Sequence, residues 1–264
     1  MTRMPTYFIS HGGGPWPWLP EMRRSFAQLE RSLAAMPSEL PEKPKAVLMI
    51  SGHWETTDFA VMSSNTPPMV YDYTGFPPHT YEITYPAPGA PELAQRTADL
   101  IETAGLPTHL DDRQGFDHGV FAPMAVIYPE ADVPTYQVSL QHGYDPAAHF
   151  ALGRALAPLR DEGVLIVGSG LSYHNLRNFG PGARVPSTEF DTWLNDVMLR
   201  DTEKRTQALL NWETAPSARI AHKEEDHLAP IFVALGAAEN DVSTVTYHEE
   251  GIFGGVTATS FRLG

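Results

Sequence analysis

The 264-residue sequence contains no cysteine, so disulfide bonds and thiolate metal ligands are excluded. Any transition metal must therefore be held by histidine, aspartate or glutamate. Basic residues are also scarce, since 18 Lys and Arg face 32 Asp and Glu and the formal net charge is −14. This balance argues against nucleic acid or an anionic membrane as a partner. No apolar run approaches the length of a membrane span and no secretory signal is visible, so we expect a cytoplasmic protein.

Several catalytic signatures are absent as well. The segment HGGG at 11–14 is similar to the oxyanion-hole segment of lipases, but no serine has the flanking glycines of a G-x-S-x-G nucleophile elbow. The segment GSG at 168–170 begins like a dinucleotide-binding fingerprint, but Tyr173 occupies the third glycine position. A P-loop and an H-E-x-x-H motif are missing too. These absences leave the 11 histidines as the most informative residues.

The hydrophobic patterning predicts one α/β domain over residues 1–264, with a central, mostly parallel sheet flanked by helices. The predicted strands are 6–10, 46–50, 59–62, 133–140, 164–167, 242–247 and 256–261. The predicted helices are 20–36, 92–104, 147–159 and 190–210, a short helix after His118, and another that opens within 222–230. The proline-rich, aromatic stretch 67–91 is predicted to be a long loop that shapes a pocket.

Four histidines share one context, because each lies near glycine in a loop next to an apolar segment. They are His11, His53, His118 and His174. His227 lies close to Ile231 on a helical wheel, so we expect it to point inward from the first turn of its helix. Ligand sites in open α/β sheets collect at the carboxyl ends of the strands. The sequence therefore predicts one shared metal site at that edge of the sheet.

The remaining histidines have no such context, and we interpret them as structural or surface residues. They are His79, His109, His142, His149, His222 and His248. His222 and His227 are five residues apart, which would place them on different sides of a helix. At most one of these two can then serve a common site, and His227 is the better candidate.

Six short segments spread along nearly the whole chain carry a family resemblance. They are SHGGGP (10–15), SGHWE (51–55), GFP to YPAPG (75–89), DHGVFAP (117–123), GSG to HNL (168–176) and EDHLAP (225–230). In this order the segments resemble the class III extradiol ring-cleavage dioxygenases, and within them the branch that contains the 4,5-DOPA extradiol dioxygenases. The resemblance implies an α/β enzyme that opens the ring of a catechol with O2.

The resemblance also implies a cofactor and a role for each histidine. The expected cofactor is non-haem Fe(II), and Zn(II) suits the same ligands in the isolated protein. His11, His53 and His227 would be the metal ligands. His174 would be the acid/base that takes a catechol proton, or a fourth ligand in a zinc-loaded form. His118 would line the pocket and orient the substrate or the oxygen-derived group.

Alternatives remain open at this point. The related protocatechuate branch uses two histidines and a glutamate, so Glu224 or Glu225 could replace His227 as the third ligand. An all-histidine site also suits a zinc-dependent hydrolase, and a non-catalytic metal-binding interaction protein is a third interpretation. A pure binder needs neither His118 nor His174, which counts against that interpretation. The substrate's side chain and the oligomeric state do not follow from the sequence.

Overall fold

The elements below are those of a computed structural model, which describes residues 2–264. In chain order the strands are β1 Thr6–Ser10, β2 Ala46–Ser51, β3 Glu55–Thr56, β4 Phe59–Met62, β5 Thr108–Asp111, β6 Thr135–Gln137, β7 Leu140–Gln141, β8 Val164–Gly170, β9 Ser243–Ile252 and β10 Val256–Leu263. The helices are α1 Pro20–Ser25, α2 Ala27–Glu39, α3 Pro91–Thr103, α4 His118–Ile127, α5 Pro146–Leu156, α6 Pro158–Asp161, α7 Arg184–Met198, α8 Thr202–Leu210, α9 Ala218–Ala221 and α10 Ala229–Ala237.

Six strands form the central sheet in the order β6-β2-β8-β1-β10-β9. The first four are parallel, while β10 pairs antiparallel with β1 and with β9. The register aligns Ser10 with Gly170 and Ser51 with Ser169, so β1, β2 and β8 end at the same edge of the sheet. The loops that follow these three adjacent strands must therefore meet. The predicted single α/β domain with a mostly parallel sheet is confirmed.

The end of β8 shows how helices cover both faces of the sheet. Gly168 and Gly170 face α10, and a Cβ atom at Gly170 would overlap the carbonyl oxygen of His227. Ser169 points the opposite way, because successive residues of a strand alternate between faces. Its hydroxyl donates a hydrogen bond to the carbonyl of Gly119 in α4. The two glycines thus allow the segment before α10 to approach the sheet closely.

Several predicted elements are divided in the structure. The helix expected over 20–36 is broken at Phe26, whose φ of −101° and ψ of 21° leave the helical region. The helix expected over 190–210 is broken at Asp201, whose side chain caps α8 by accepting a hydrogen bond from the Lys204 N–H. Pro158 starts a separate helix after α5, and the strand expected over 133–140 forms β6 and β7. The apolar periodicity continues across each break, so it does not reveal them.

The helix expected to open within 222–230 begins later, at Ala229. Pro230 suits the first turn of a helix, because the N–H groups there have no partner within the helix. The prediction that His227 lies in the first helical turn was therefore wrong, although the side chain is buried. The predicted loop over 67–91 is confirmed, with one short 3-10 turn at Pro78–Tyr81. Within the described residues, no helix is long and apolar enough to cross a membrane.

Candidate metal centre

Five histidines meet at the carboxyl edge of the sheet. His11 follows β1, His53 follows β2, His118 begins α4, His174 follows β8 and His227 precedes α10. Their rings are in direct contact: the centroids of His53 and His118 are 4.0 Å apart, and those of His174 and His227 are 3.4 Å apart. The structure thus brings together every residue that the sequence predicted for the site.

The closest approach within this cluster is made by ring nitrogens. His53 Nε2 lies 3.1 Å from His227 Nε2 and 3.3 Å from His11 Nε2. His118 also offers a ring nitrogen within 4.8 Å of nitrogens on His11 and His53. His53 Nε2 thus lies within 3.3 Å of an Nε2 atom on each of the other two histidines that the family resemblance implies as ligands.

Asp72 supports one pair of these histidines, and sequence reasoning missed it. Its carboxylate accepts a hydrogen bond from His118 Nδ1 at 2.9 Å and lies 3.2 Å from His53 Nδ1. It also accepts the backbone N–H of His118 at 3.0 Å. Asp72 belongs to the loop over 67–91, far from both histidines in sequence, and that loop was marked only by its prolines and aromatic residues.

Asp226 supports a second pair from the other side of the cluster. Its carboxylate accepts a hydrogen bond from His227 Nδ1 at 2.8 Å and lies 3.5 Å from His174 Nδ1. Burial alone would raise the pKa of this carboxyl, but His174 and His227 outweigh burial and hold the pKa well below its usual range. Asp226 is therefore ionised at neutral pH, and its negative charge lies directly behind two imidazoles.

His11 is oriented by a hydroxyl rather than a carboxylate. The Ser169 hydroxyl donates its proton to the Gly119 carbonyl, so its oxygen accepts from His11 Nδ1 at 3.2 Å. His11 and His227 thus use Nδ1–H as a donor, and His53 Nδ1 faces the Asp72 carboxylate at 3.2 Å, so each of the three rings turns a bare Nε2 lone pair inward. A ring nitrogen that faces a carboxylate or hydroxyl acceptor carries the proton, which leaves the other nitrogen of a neutral ring bare.

The donor set fits a transition-metal ion. Lone pairs that face one another across 3.1 to 3.3 Å repel unless a proton or a cation lies between them. Burial, and then the neighbouring imidazoles, lower the pKa of His11 and His53 well below the usual value and that of His227 to about 4. The rings are therefore neutral at physiological pH, which is the form that binds metal. Carboxylates behind the rings are typical of histidine metal ligands.

A cavity of about 500 Å³ opens directly above the cluster, and all five histidines line it. That volume lies within the range of small-molecule sites. Tyr73 and Phe76, from the predicted loop, form part of the wall. The loop over 67–91 therefore shapes the pocket, as the sequence predicted.

Comparison with known proteins identifies the family. The family model described as the catalytic LigB subunit of aromatic ring-opening dioxygenase matches residues 6–263. The chain belongs to the LigB family. The chain is 37% identical to the 4,5-DOPA dioxygenase extradiol of Beta vulgaris over 98% of this chain and 96% of that one. It is 34% identical to the 4,5-DOPA dioxygenase extradiol of Escherichia coli K12, over 100% and 96% of the two chains.

A solved structure agrees with this assignment. The crystal structure of an uncharacterized protein from Escherichia coli K12 superposes with a TM-score of 0.80 at 30% identity, and the match covers 99% of this chain and 100% of that one. The predicted resemblance to extradiol ring-cleavage dioxygenases is confirmed. The chain is a metal-dependent dioxygenase of the LigB family, and its substrate is aromatic.

In this LigB-family chain the glutamates left open as ligands lie outside the cluster. Glu225 accepts hydrogen bonds from Arg219 at 2.8 Å and 3.0 Å, and Glu224 is exposed. Among the histidines set aside, His149 is buried and donates from Nδ1 to the carbonyl of Asp145. His222 is also buried and contacts the carbonyl of Ser172. The other four are exposed: His79, His109, His142 and His248.

Proposed function

We propose that the chain opens the ring of a catechol in extradiol fashion with O2, using Fe(II) held by His11, His53 and His227. The observation that carries this proposal is the convergence of three bare Nε2 atoms beneath a cavity of catechol-binding size, in a chain of the LigB family. Zn(II) suits the same ligands, since imidazole sites bind several first-row metals and availability selects among them.

The metal would bind the catechol hydroxyls, lower their pKa and connect the electron-rich ring to O2. The three imidazoles are neutral, so they leave the positive charge of the ion undiminished. Asp72 and Asp226 hold His53 and His227 by Nδ1 and keep each Nε2 aimed inward. This orientation raises the basicity of the ligand atoms and is prepared before substrate arrives.

His174 is proposed as the general base. Its ring lines the cavity and is stacked against His227, and its Nδ1 lies 3.5 Å from Asp226. When its Nε2 accepts a proton from the second catechol hydroxyl, the carboxylate of Asp226 stabilises the resulting imidazolium. The protonated His174 would then be the acid available to the oxygen-derived group.

His118 is proposed to orient the substrate and the incoming oxygen. Its backbone N–H and its Nδ1 both bond to Asp72, so the ring is fixed at two points. The ring lines the cavity and lies 4.0 Å from the ring of His53, measured between centroids. His118 is therefore a hydrogen-bonding group held rigidly beside a proposed ligand. Rigid placement of this kind lowers the entropic cost of aligning two reactants.

The relatives named 4,5-DOPA dioxygenase extradiol make L-DOPA one compound to test, together with other catechols. The protein is reconstituted anaerobically with Fe(II), and O2 uptake is measured on addition of each compound. We expect uptake to match the formation of a yellow ring-opened product whose mass has increased by one O2. One bound iron per chain without uptake for any catechol would contradict the proposal and favour a hydrolase on the same histidines.

A further inference from the structure

The cavity wall beyond the histidines is almost entirely apolar. It includes Met22, Phe26, Phe76, Leu176, Phe179 and Phe253. No lysine, arginine or glutamate lines the cavity among the described residues, and Asp72 is the single acid there. The histidines bind the reacting end of the substrate, so this wall receives whatever substituent the ring carries.

Three of the charged groups near this wall already have partners, and Arg177, which follows Leu176, is exposed and lies outside the cavity lining. The Asp72 carboxylate is bonded to His118 and lies 3.2 Å from His53. Arg23, next to Met22, donates to Glu30 from Nε at 3.0 Å. Arg184 donates to the carbonyl of Gly254 at 3.1 Å. A substrate carboxylate that entered the cavity would find no cationic side chain in its lining.

Phe253 marks the outer end of the wall. It lies in the turn between β9 and β10, and its φ of 49° is in the left-handed region that bulky residues rarely adopt. Its ring contacts Phe26 and Phe179 at centroid distances of 5.3 Å and 5.5 Å, yet the residue is 42% exposed. Leu176, also on the wall, is 71% exposed. The wall thus continues to the mouth of the cavity as uncovered apolar surface.

We propose that the preferred substrate is a catechol with an uncharged apolar substituent, alkyl or aryl, which packs along this wall as far as Leu176 and Phe253. The inference rests on the proposed ring cleavage and adds the substrate class. Each methylene that leaves water for the wall favours binding. An amino-acid side chain would instead lose its hydration without gaining a partner.

The test compares kcat/KM for four compounds with the Fe(II) protein: catechol, 4-propylcatechol, dopamine and L-DOPA. We expect a gain of roughly threefold per methylene, so 4-propylcatechol exceeds catechol by about 30-fold. L-DOPA is expected about 100-fold below 4-propylcatechol, since its charges are desolvated without partners. Anaerobic calorimetry of the same compounds should give the same order of affinity and does not depend on turnover.

The outcomes separate this inference from the proposed function. No reaction with catechol or any other compound would refute ring cleavage itself. Reaction with catechol, but with L-DOPA at or above 4-propylcatechol, would overturn only the apolar preference. If Arg177→Ala then removed the advantage of L-DOPA, that exposed residue beside Leu176 would be the carboxylate partner. Dopamine above 4-propylcatechol would also overturn the inference, in favour of a cation held by aromatic rings.

A pair of variants tests whether the apolar wall causes the preference for 4-propylcatechol over catechol. Phe253→Ala should lower the 4-propylcatechol to catechol ratio by about fivefold, because apolar surface at the mouth is removed. Leu199→Ala is the matched control, since Leu199 is 72% exposed and lies outside the cavity lining. Circular dichroism checks that both variants are folded. An unchanged ratio in Phe253→Ala, or an equal fall in both variants, would show that the wall does not select the substituent.

Discussion

Two aspartates, Asp72 and Asp226, each support a pair of histidines, and the difference between the pairs separates two tasks. Asp72 bonds His118 at 2.9 Å and lies 3.2 Å from His53. Asp226 bonds His227 at 2.8 Å and lies 3.5 Å from His174. Each pair therefore contains one proposed metal ligand and one histidine proposed to act on the substrate. The shorter distance to the aspartate belongs to His118 in the first pair and to the ligand His227 in the second.

This difference has a chemical consequence. His118 is fixed by two hydrogen bonds to Asp72, which suits a group that orients its neighbours. His174 is held more loosely, with Nδ1 at 3.5 Å and its side chain 17% exposed. A base must gain a proton and later give it up, and a carboxylate close by stabilises its charged form. The two pairs are therefore similar in composition but differ in what their second histidine can do.

The largest expected effect comes from removing the ligand of either pair. His53→Ala and His227→Ala should each lower bound iron below about a tenth per chain and reduce kcat/KM by more than about 1,000-fold, because the remaining ligands no longer enclose the ion. Metal analysis after dialysis, combined with O2 uptake, measures both effects. Full iron occupancy in either variant would remove that residue from the ligand set.

Removing the second histidine of each pair should separate binding from turnover. His174→Ala and His118→Ala are expected to keep nearly one iron per chain while kcat falls by about 100- to 10,000-fold, the usual range for a lost general acid or base. The pH profile of kcat distinguishes the two variants. Only His174→Ala should lose the pH-dependent change in kcat that a general base produces. Full activity of His174→Ala would refute its assignment.

Neutralising the aspartates should give a smaller and unequal effect. Asp226→Asn and Asp72→Asn keep the shape of the side chain but weaken its support of the ligand, which typically costs 10- to 100-fold in metal affinity. We expect the larger loss in Asp226→Asn, because the bond from Asp226 to its ligand is the shorter one. Competition with a chelator measures both affinities. Equal losses would show that the two pairs are equivalent supports.

The smallest expected effect concerns Asp117, a buried carboxyl that bonds to the Ser51 hydroxyl rather than to a histidine. Burial, and then the charge of Asp72, raise its pKa to about 6, whereas the pKa of Asp226 is lowered. A raised pKa in the folded state stabilises the protein at low pH, and this stabilisation is lost as pH rises through about 6.

Asp117→Asn removes that titration. The free energy of unfolding of the wild type, relative to the variant, should therefore fall by about 1 kcal/mol between pH 5 and pH 7. Urea denaturation at both pH values measures the difference. A relative stability that rises over this interval would contradict the direction of the Asp117 shift.

The histidine cluster was accessible from sequence because its members carry a local signal. Glycine next to His11 and His53, and four residues before His174, marks the ends of apolar strands, and parallel strands end at a common edge. The long loop and the family resemblance were confirmed as well, and so were the predicted strands except the one over 133–140, which is divided into β6 and β7. Breaks such as those at Phe26 and Asp201 escaped prediction, because apolar periodicity reports burial and continues through a change in backbone direction.

The sequence by itself determined the α/β class, the family and the histidines of the site, since each depends on short segments with their own pattern. Only the tertiary structure decided which carboxylates support those histidines and what lines the cavity above them. Asp72 lies some 20 residues from His53 and more than 40 from His118, and Phe253 reaches the cavity from the far end of the chain. Such contacts are made between segments that share no local pattern, and packing alone brings them together.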